Sequence, residues 1–169
     1  SLAGVMKPDP NRSNFDYVRG GPWGFSGPQG LPLTKPPYAR ITAIDLNTGE
    51  HLWMVPHGFG PIDHPLLKDL NLPRLGYNNM KSFWGGGPLL TKTLLFTTQF
   101  EYRMVDGQGV QGYLRAYDKT NGDVVWETAL DLVPHGVPMT YAYEGKQYIV
   151  FAAGGGAQRQ ELIAFALGQ

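Results

Sequence analysis

The chain has 169 residues with 14 basic and 14 acidic side chains, and its formal net charge is +0. Because neither sign forms a run, the charge pattern argues against a surface for nucleic acid or anionic membranes, and no apolar stretch approaches the roughly 18 residues of a membrane-spanning helix. Cysteine is absent, which excludes disulfides and thiolate chemistry, while 23 Gly and 14 Pro are typical of an all-β chain with many turns.

The first part of the chain does not predict a domain of its own. Residues 1–38 are rich in proline and glycine, and we expect an extended, irregular segment that wraps another surface. Residues 39–169 carry the patterned strands. They are interrupted by an insertion at 57–83, which is predicted to be a loop with one helical turn near Leu66 to Leu70.

A segment that occurs twice is the most informative feature of the sequence. Ile41–Trp53 returns as Leu114–Trp126, and five positions agree at a constant offset: an apolar residue, Ala, Asp, Gly and Trp. A third, degenerate copy, Leu162–Ala166, lies near the end. A fixed internal repeat indicates an array fold, and agreement at five positions disfavours the alternative of two coincidental hairpins.

Each full copy has the pattern of a β-hairpin, in which side chains alternate between two faces along the strand. Asp45 opens a turn where its carboxylate accepts a backbone N–H, and Gly49 supplies the positive φ that the turn needs. Asp118 and Gly122 do the same in the second copy. We therefore interpret both aspartates as turn formers and not as catalytic bases.

Two proline motifs complete the repeat. Trp84-Gly-Gly-Gly-Pro88 and His135-Gly-Val-Pro138 align at their prolines, and an apolar strand follows each. One repeat is then four strands in about 50 residues, the pattern of a β-propeller blade. Residues 41–55, 87–129 and 138–167 give the last two strands of one blade, a whole blade and the first three strands of another. The predicted fold is all-β, a partial β-propeller of four-stranded antiparallel blades.

These strands are too few for the four to eight blades of a closed ring. We therefore expect the chain to be the C-terminal part of a larger protein, whose missing N-terminal blades are its partner. Open sheet edges pair with other strands, so the isolated piece is also expected to self-associate.

Three strings in the sequence carry a family resemblance: Leu31–Trp53, the Trp84-Gly-Gly turn and Gly136–Val150. They closely resemble the C-terminal part of the quinoprotein dehydrogenases, which use pyrroloquinoline quinone (PQQ), nearest to the quinoprotein glucose dehydrogenases. The resemblance implies a ring of roughly eight blades, of which this chain supplies about two and a half, with PQQ and a Ca²⁺ at the axis. It also implies an Asp general base, hydride transfer to the quinone and a periplasmic location.

The resemblance further implies where this chain meets the cofactor. The starts of the inner strands line the axis, which assigns cofactor-binding positions to Trp84, Gly85 and Gly86 in one blade and to His135 and Gly136 in the next. Trp84 matches a Trp that lies beside the quinone in related alcohol dehydrogenases, and plain blade packing stays open as its alternative role. The base and the Ca²⁺ ligands belong to earlier blades, so no catalytic or metal-binding residue is assigned here.

Other aromatic and ionisable residues are given structural roles. Trp53 and Trp126 are expected to dock between adjacent blades, as their counterparts do in the family. His57, Asp63 and His64 suggest a metal site, but their spacing fits neither helix nor strand geometry for shared ligands. A solvated loop is therefore the favoured interpretation.

Two function classes remain open. In the first, the parent is a PQQ-dependent dehydrogenase that oxidises an aldose (glucose-like) or an alcohol, and the chain alone is inactive because it lacks the base and the metal ligands. In the second, the chain belongs to a non-catalytic propeller scaffold of the same repeat superfamily. The Trp84-Gly-Gly turn and the Gly136–Val150 string favour the first. The substrate itself depends on contacts outside these residues.

Overall fold

The structure is a computed structural model that describes residues 4–6, 11, 14, 18–20, 27–77, 86–102, 109–155 and 158–166. These residues form eleven β-strands, β1 to β11, and two short 3-10 helices, without an α-helix among them. The predicted all-β class is confirmed. Within the same ranges, no helix has the length and apolar character that crossing a membrane requires.

The chain divides into two compact units, one formed by Ser1–Lys35 with Asn79–Phe83 and the other by Pro36–Asn78 with Trp84–Gln169. In the first unit, β1 (Gly4–Met6) pairs antiparallel with β2 (Val18–Gly20), and a 3-10 helix covers Pro28–Gly30. The sequence predicted an irregular segment here and did not predict this pairing, because proline and glycine outweigh the few strand-forming residues.

The second unit contains three antiparallel sheets in which the strands follow each other in chain order, with two, four and three strands in turn. This arrangement confirms the predicted partial propeller. The strands are β3 (Arg40–Ile44), β4 (His51–Pro56), β5 (Pro88–Leu90), β6 (Leu94–Tyr102), β7 (Val110–Asp118), β8 (Val124–Leu130), β9 (Pro134–Tyr143), β10 (Lys146–Gly155) and β11 (Gln158–Ala166).

The turns of the repeated hairpin have the predicted chemistry. The Oδ1 atom of Asp45 accepts the N–H of Asn47 at 2.7 Å, and Gly49 has a φ of 75°. In the second copy, Oδ1 of Asp118 accepts the N–H two residues later at 2.7 Å, and Gly122 has a φ of 80°. Both aspartates are therefore turn formers.

The tryptophans of the two hairpins pack against the next sheet. Trp53 donates its Nε1–H to the carbonyl oxygen of Lys119 at 2.9 Å, and a Cβ added to Gly122 would lie 2.6 Å from the Trp53 ring. Trp126 meets Phe165 edge-on, with ring centroids 5.8 Å apart. The predicted docking between adjacent sheets is confirmed for both residues.

The two faces of the four-stranded sheet differ in chemistry because side chains alternate along each strand. One face forms the apolar core with the three-stranded sheet, and each large apolar side chain buried there stabilises the fold by about 1.5–3 kcal/mol. The buried core residues are Phe96, Leu114, Ala116, Leu130, Leu132, Phe151 and Ala153. The opposite face carries buried polar and charged side chains.

The segment 57–77 follows β4 and contains the second 3-10 helix, Lys68–Leu70, where the sequence predicted a helical turn. Backbone hydrogen bonds hold it near its two ends: the N–H of Leu75 donates to Phe59 at 2.9 Å, and the N–H of Tyr38 donates to Leu75 at 2.8 Å. This segment packs on the charged face of the four-stranded sheet.

Candidate functional site

The predicted cofactor positions lie at the first strands of two successive sheets. Trp84 and Gly85 lie outside the residues that the structure describes, so their assignments stay predictions. Gly86 precedes β5, whereas His135 and Gly136 lie near the start of β9. The structure brings two of these strand starts together, because a Cβ added to Gly86 would stand 2.8 Å from the carbonyl oxygen of Gly136.

The close approach at Gly86 is made by atoms of the protein itself. The same added Cβ would overlap the hydroxyl oxygen of Thr98 and would lie 2.8 Å from its carbonyl oxygen. Thr98 is 1% exposed and donates its O–H to the carbonyl oxygen of Gly136 at 3.4 Å. Gly86 lacks a side chain because two sheets meet there. The assignment of Gly86 as a cofactor-binding position stays a prediction.

Gly136 differs from Gly86 in its surroundings. Its φ is 76°, in the left-handed region that favours glycine, and among the described residues beyond its chain neighbours no heavy atom lies within 4 Å of a Cβ added there. The neighbouring His135 is half-buried and pairs with Ala152 of β10. We call Gly86, Thr98, His135 and Gly136 together the glycine rim.

A buried charged cluster lies on the opposite face of the four-stranded sheet. Arg115 is 0% exposed. Its Nη1 donates to Oε1 of Gln99 at 2.5 Å, its Nη2 donates to Oε1 of Glu101 at 2.7 Å, and its Nε donates to a carboxylate oxygen of Glu127. A buried charge is tolerated when it is paired and its donors are satisfied, and this cluster meets both conditions.

The cluster attaches the segment 57–77 to the sheet. The Oε2 atom of Glu101 accepts the backbone N–H of Phe59 at 2.9 Å and that of the next residue at 3.3 Å. Arg74 donates to both carboxylate oxygens of Glu127, at 2.9 and 3.3 Å, and its guanidinium carbon lies 4.4 Å from the centroid of the Phe59 ring. The two ends of the segment therefore contact two different carboxylates, Glu101 and Glu127, which both accept hydrogen bonds from Arg115.

Glycine allows the segment to approach the cluster this closely. A Cβ added to Gly58 would lie 2.8 Å from the Oε1 atoms of both Gln99 and Glu101, and Gly58 has a φ of 88°. The N–H of Tyr77 donates to the carbonyl oxygen of His57 at 2.7 Å. A larger residue at position 58 would separate the segment from the sheet.

His57 is half-buried between the rest of the segment and β7, and the prediction that it lies in a solvated loop is wrong. Its Nδ1 lies 3.0 Å from the hydroxyl oxygen of Tyr117. Burial, together with the charges of Arg115 and Arg74, lowers the pKa of His57 to about 4. Burial also raises the pKa of Tyr117 to about 12, although the two arginines act in the opposite direction. Both groups are therefore neutral at pH 7.

The solvated-loop prediction is also wrong for His64, because the chain folds back at this point. The N–H of His64 donates to the carbonyl oxygen of Pro61 at 3.0 Å, and its side chain is 6% exposed. Its Nδ1 accepts the N–H of Leu66 at 3.2 Å. Across the described ranges, no group of three or more His, Cys, Asp and Glu side chains is arranged to hold a metal ion.

The two arginine–glutamate contacts affect the acidity of Glu127. Burial alone would raise the pKa of this carboxyl group, but the hydrogen bonds from Arg74 and Arg115 outweigh burial and the pKa is lowered. Breaking a buried ion pair by removing one partner costs far more than the pair contributes as a whole, because an uncompensated charge remains. In this cluster the fully buried pair is Arg115 with Glu101, whose side chains are 0% and 1% exposed, so removing either partner would leave a buried charge.

Sequence reasoning missed this cluster. The available signal was Gln99 and Glu101, which lie two residues apart on β6 and so share a face. Arg115 lies on the next strand and pairs in the register with Thr97. The contact between Glu101 and Phe59 joins residues 42 positions apart, which no local pattern reports.

Comparison with known protein families identifies the propeller. The family described as "PQQ: Glucose/ethanol/alcohol dehydrogenase, beta-propeller domain" matches residues 6–149. This match includes both repeated hairpins and the whole four-stranded sheet. The chain belongs to this PQQ dehydrogenase family. The resemblance inferred from the sequence strings is thereby confirmed.

Individual members of the PQQ dehydrogenase family agree with this assignment. The chain is 32% identical over 157 residues to the quinate/shikimate dehydrogenase (quinone) of Acinetobacter baylyi, covering 85% of this chain and 17% of that protein. It is 34% identical over 138 residues to the quinoprotein glucose dehydrogenase of Escherichia coli, covering 78% and 15%. It is 33% identical over 128 residues to the glycerol dehydrogenase large subunit of Gluconobacter thailandicus, covering 75% and 16%.

The chain thus spans 15–17% of the length of these PQQ dehydrogenases. Within the glycine rim, Gly86 lies close to Gly136, since a Cβ added to Gly86 would stand 2.8 Å from the Gly136 carbonyl oxygen, and His135 is adjacent to Gly136. In chemical terms the glycine rim offers a stretch of backbone beside an imidazole. It has no described group of metal ligands.

Proposed function

We propose that this chain is part of a PQQ-dependent dehydrogenase that oxidises an aldose (glucose-like) or an alcohol. The observation that carries the proposal is the family match across residues 6–149. By their names, the relatives act on quinate or shikimate, glucose and glycerol, all of which carry an oxidisable CH–OH group. When bound, PQQ supplies the quinone carbonyl that accepts the hydride from the substrate carbon.

The glycine rim fits one wall of a site for a flat, anionic cofactor. The open side of Gly136 allows a planar ring to approach the backbone. The half-buried His135 beside it offers a ring N–H to an anionic oxygen, a charge-assisted hydrogen bond. Thr98, next to these residues, is buried. On the family resemblance, we assign Trp84 and Gly85 to the same wall.

We place the general base and the Ca²⁺ ligands in the part of the protein outside this chain. Hydride transfer needs base, cofactor and metal in one preorganised site. A chain that supplies one wall of the site is therefore inactive alone. The family resemblance also supports a periplasmic location for the parent protein.

The partner of this chain is then the remainder of the same propeller. Leu114 in the second hairpin copy is 0% exposed, whereas Leu162, its counterpart in the third copy, is 78% exposed. Single exposed leucines are common, but a position that is fully buried in one repeat and bare in the next is expected where a further blade covers it. Strand β11 also lies at the edge of its three-stranded sheet, and pairing along this edge would allow self-association.

Purified proteins test this function directly. The full-length protein and the 169-residue chain are each prepared without cofactor, supplied with Ca²⁺ with or without PQQ, and assayed for dye reduction with glucose, quinate, glycerol and methanol. We expect turnover only with the full-length protein, only after PQQ is added, and with at least one of these substrates.

Two results would contradict the proposal. Full-length protein that neither binds PQQ nor reduces the dye would favour the alternative of a non-catalytic propeller scaffold. Turnover by the 169-residue chain alone would show that the base lies within it, against our placement.

A further inference from the structure

Thr98 is the side chain that joins the two strand starts of the glycine rim. It lies on β6 and is 1% exposed. Its hydroxyl donates to the carbonyl oxygen of Gly136 at 3.4 Å, and the same hydroxyl fills the space where a side chain at Gly86 would lie. One buried polar group therefore contacts both glycines.

Thr98 lies at the boundary between the rim and the apolar core. Thr98 pairs in the register with Leu114, and Phe96 lies two residues earlier on the same face of the sheet. Both apolar residues belong to the buried core cluster. A hydroxyl next to such a cluster is costly to bury unless it makes a hydrogen bond. The carbonyl of Gly136 is the acceptor that offsets this cost, whereas a valine would fill a similar volume without needing one.

The contact from Thr98 bears on the conformation of Gly136. Its φ of 76° is open to glycine without strain, and among the described residues beyond its chain neighbours no atom lies within 4 Å of a Cβ added there. A peptide unit is planar, so a hydrogen bond to the carbonyl of Gly136 fixes the orientation of the peptide that joins it to Val137. His135 is attached on the other side of the same residue.

We propose that Thr98 is a positioning residue for PQQ binding. Its hydroxyl holds Gly136, and with it His135, in the orientation that the cofactor wall requires, without touching the cofactor. The inference rests on the proposed function and deepens it. The proposal requires a hydroxyl donor at position 98, because an apolar side chain of the same size cannot orient the carbonyl of Gly136.

The test compares Thr98→Val with Thr98→Ser in the full-length protein. The PQQ dissociation constant is measured by quenching of tryptophan fluorescence, and the unfolding midpoint is measured on the cofactor-free protein. Loss of one neutral hydrogen bond changes an equilibrium by about five- to tenfold. We expect Thr98→Val to raise the PQQ dissociation constant by about this factor and Thr98→Ser to stay within about twofold of wild type, because the serine retains the donor.

Rescue by serine separates positioning from packing. If valine and wild type bind PQQ equally, or if serine and valine weaken binding equally, the hydroxyl does not position the rim and the inference is overturned while the proposed function stands. Wild-type protein without PQQ affinity overturns the proposed function and this inference with it. Should Thr98→Val fail to fold, Thr98→Cys replaces it, since cysteine matches serine in shape but is a weak donor. Cysteine and serine variants with equal affinity would then overturn the inference.

Discussion

Protonation of His57 makes the stability of the chain depend on pH, and replacing His57 should remove this dependence. In the folded chain its pKa is lowered from 6.5 to about 4, chiefly by burial. The unfolded chain binds a proton at this residue below about pH 6.5, whereas the folded chain does not until about pH 4. The contribution of His57 to stability is therefore complete above pH 6.5 and is lost as the pH falls toward 4.

The size of this effect follows from the shift in pKa. One unit corresponds to about 1.4 kcal/mol, so the difference between 6.5 and about 4 represents about 3 kcal/mol of unfolding free energy. His57→Gln removes the titrating group and retains a side chain that can hydrogen-bond the hydroxyl of Tyr117. Between pH 7 and pH 4, the variant should lose about 3 kcal/mol less stability than the wild-type chain.

Urea unfolding of the purified chain, followed by tryptophan fluorescence at several pH values, measures this difference. His51→Gln is the matched control, because it makes the same substitution at a histidine that is exposed on the hairpin. NMR titration of the imidazole protons gives the pKa of His57 independently. A pKa near 6.5, or the same pH dependence in wild type and His57→Gln, would refute the reasoning.

Two further predictions concern the charged cluster and the hairpin turn. Arg115→Met leaves Glu101 buried without its ion-pair partner and should lower the unfolding free energy by about 3–5 kcal/mol. The control Arg159→Gln removes an ion pair whose arginine is 72% exposed and should lower it by less than about 1 kcal/mol. Equal losses of unfolding free energy in urea would count against a role for burial. Gly122→Ala should destabilise the chain by about 1–3 kcal/mol more than Gly49→Ala. Both substitutions replace a glycine with positive φ, but only Gly122 lies against the Trp53 ring. Thermal unfolding of the two variants measures the difference, and identical midpoints would mean that Trp53 does not pack against Gly122.

The repeated hairpins were predictable because their chemistry is local. Asp45 and Gly49 lie within one turn, and the carboxylate accepts the N–H of a residue two positions later. The pattern therefore appears in the sequence at fixed spacing. The position of Trp53 on the return strand of the hairpin could also be predicted from local sequence. Its packing against the next sheet could be predicted only from the repeat.

The burial of His57 and the charged cluster were not predictable in this way. A short segment rich in Pro, Gly and His has the composition of a solvated loop, and nothing local distinguishes a docked segment from an exposed one. The segment is held by contacts between residues that are far apart along the chain. His57 contacts Tyr117, 60 positions away, and Phe59 contacts Glu101, 42 positions away. Such contacts depend on the order and register of the sheets.

The glycine rim was predictable only in part. The proline motifs placed Gly86 and Gly136 at equivalent strand starts, and the structure brings them together. The reason for glycine at position 86 was not predictable, because it depends on the hydroxyl of Thr98 and on how closely two successive sheets approach each other.

The affinity of the full-length protein for PQQ after substitution of His135 tests the account most directly. His135→Ala removes the imidazole of the glycine rim, which we propose donates a hydrogen bond to an anionic group on the cofactor. Hydrogen bonds to charged groups contribute about 1.5–3 kcal/mol, so the PQQ dissociation constant should rise by roughly ten- to a hundredfold. The exposed His51→Ala serves as the control and should leave the constant unchanged. Equal PQQ affinity in wild type and His135→Ala would contradict the claim that this chain forms a wall of the cofactor site.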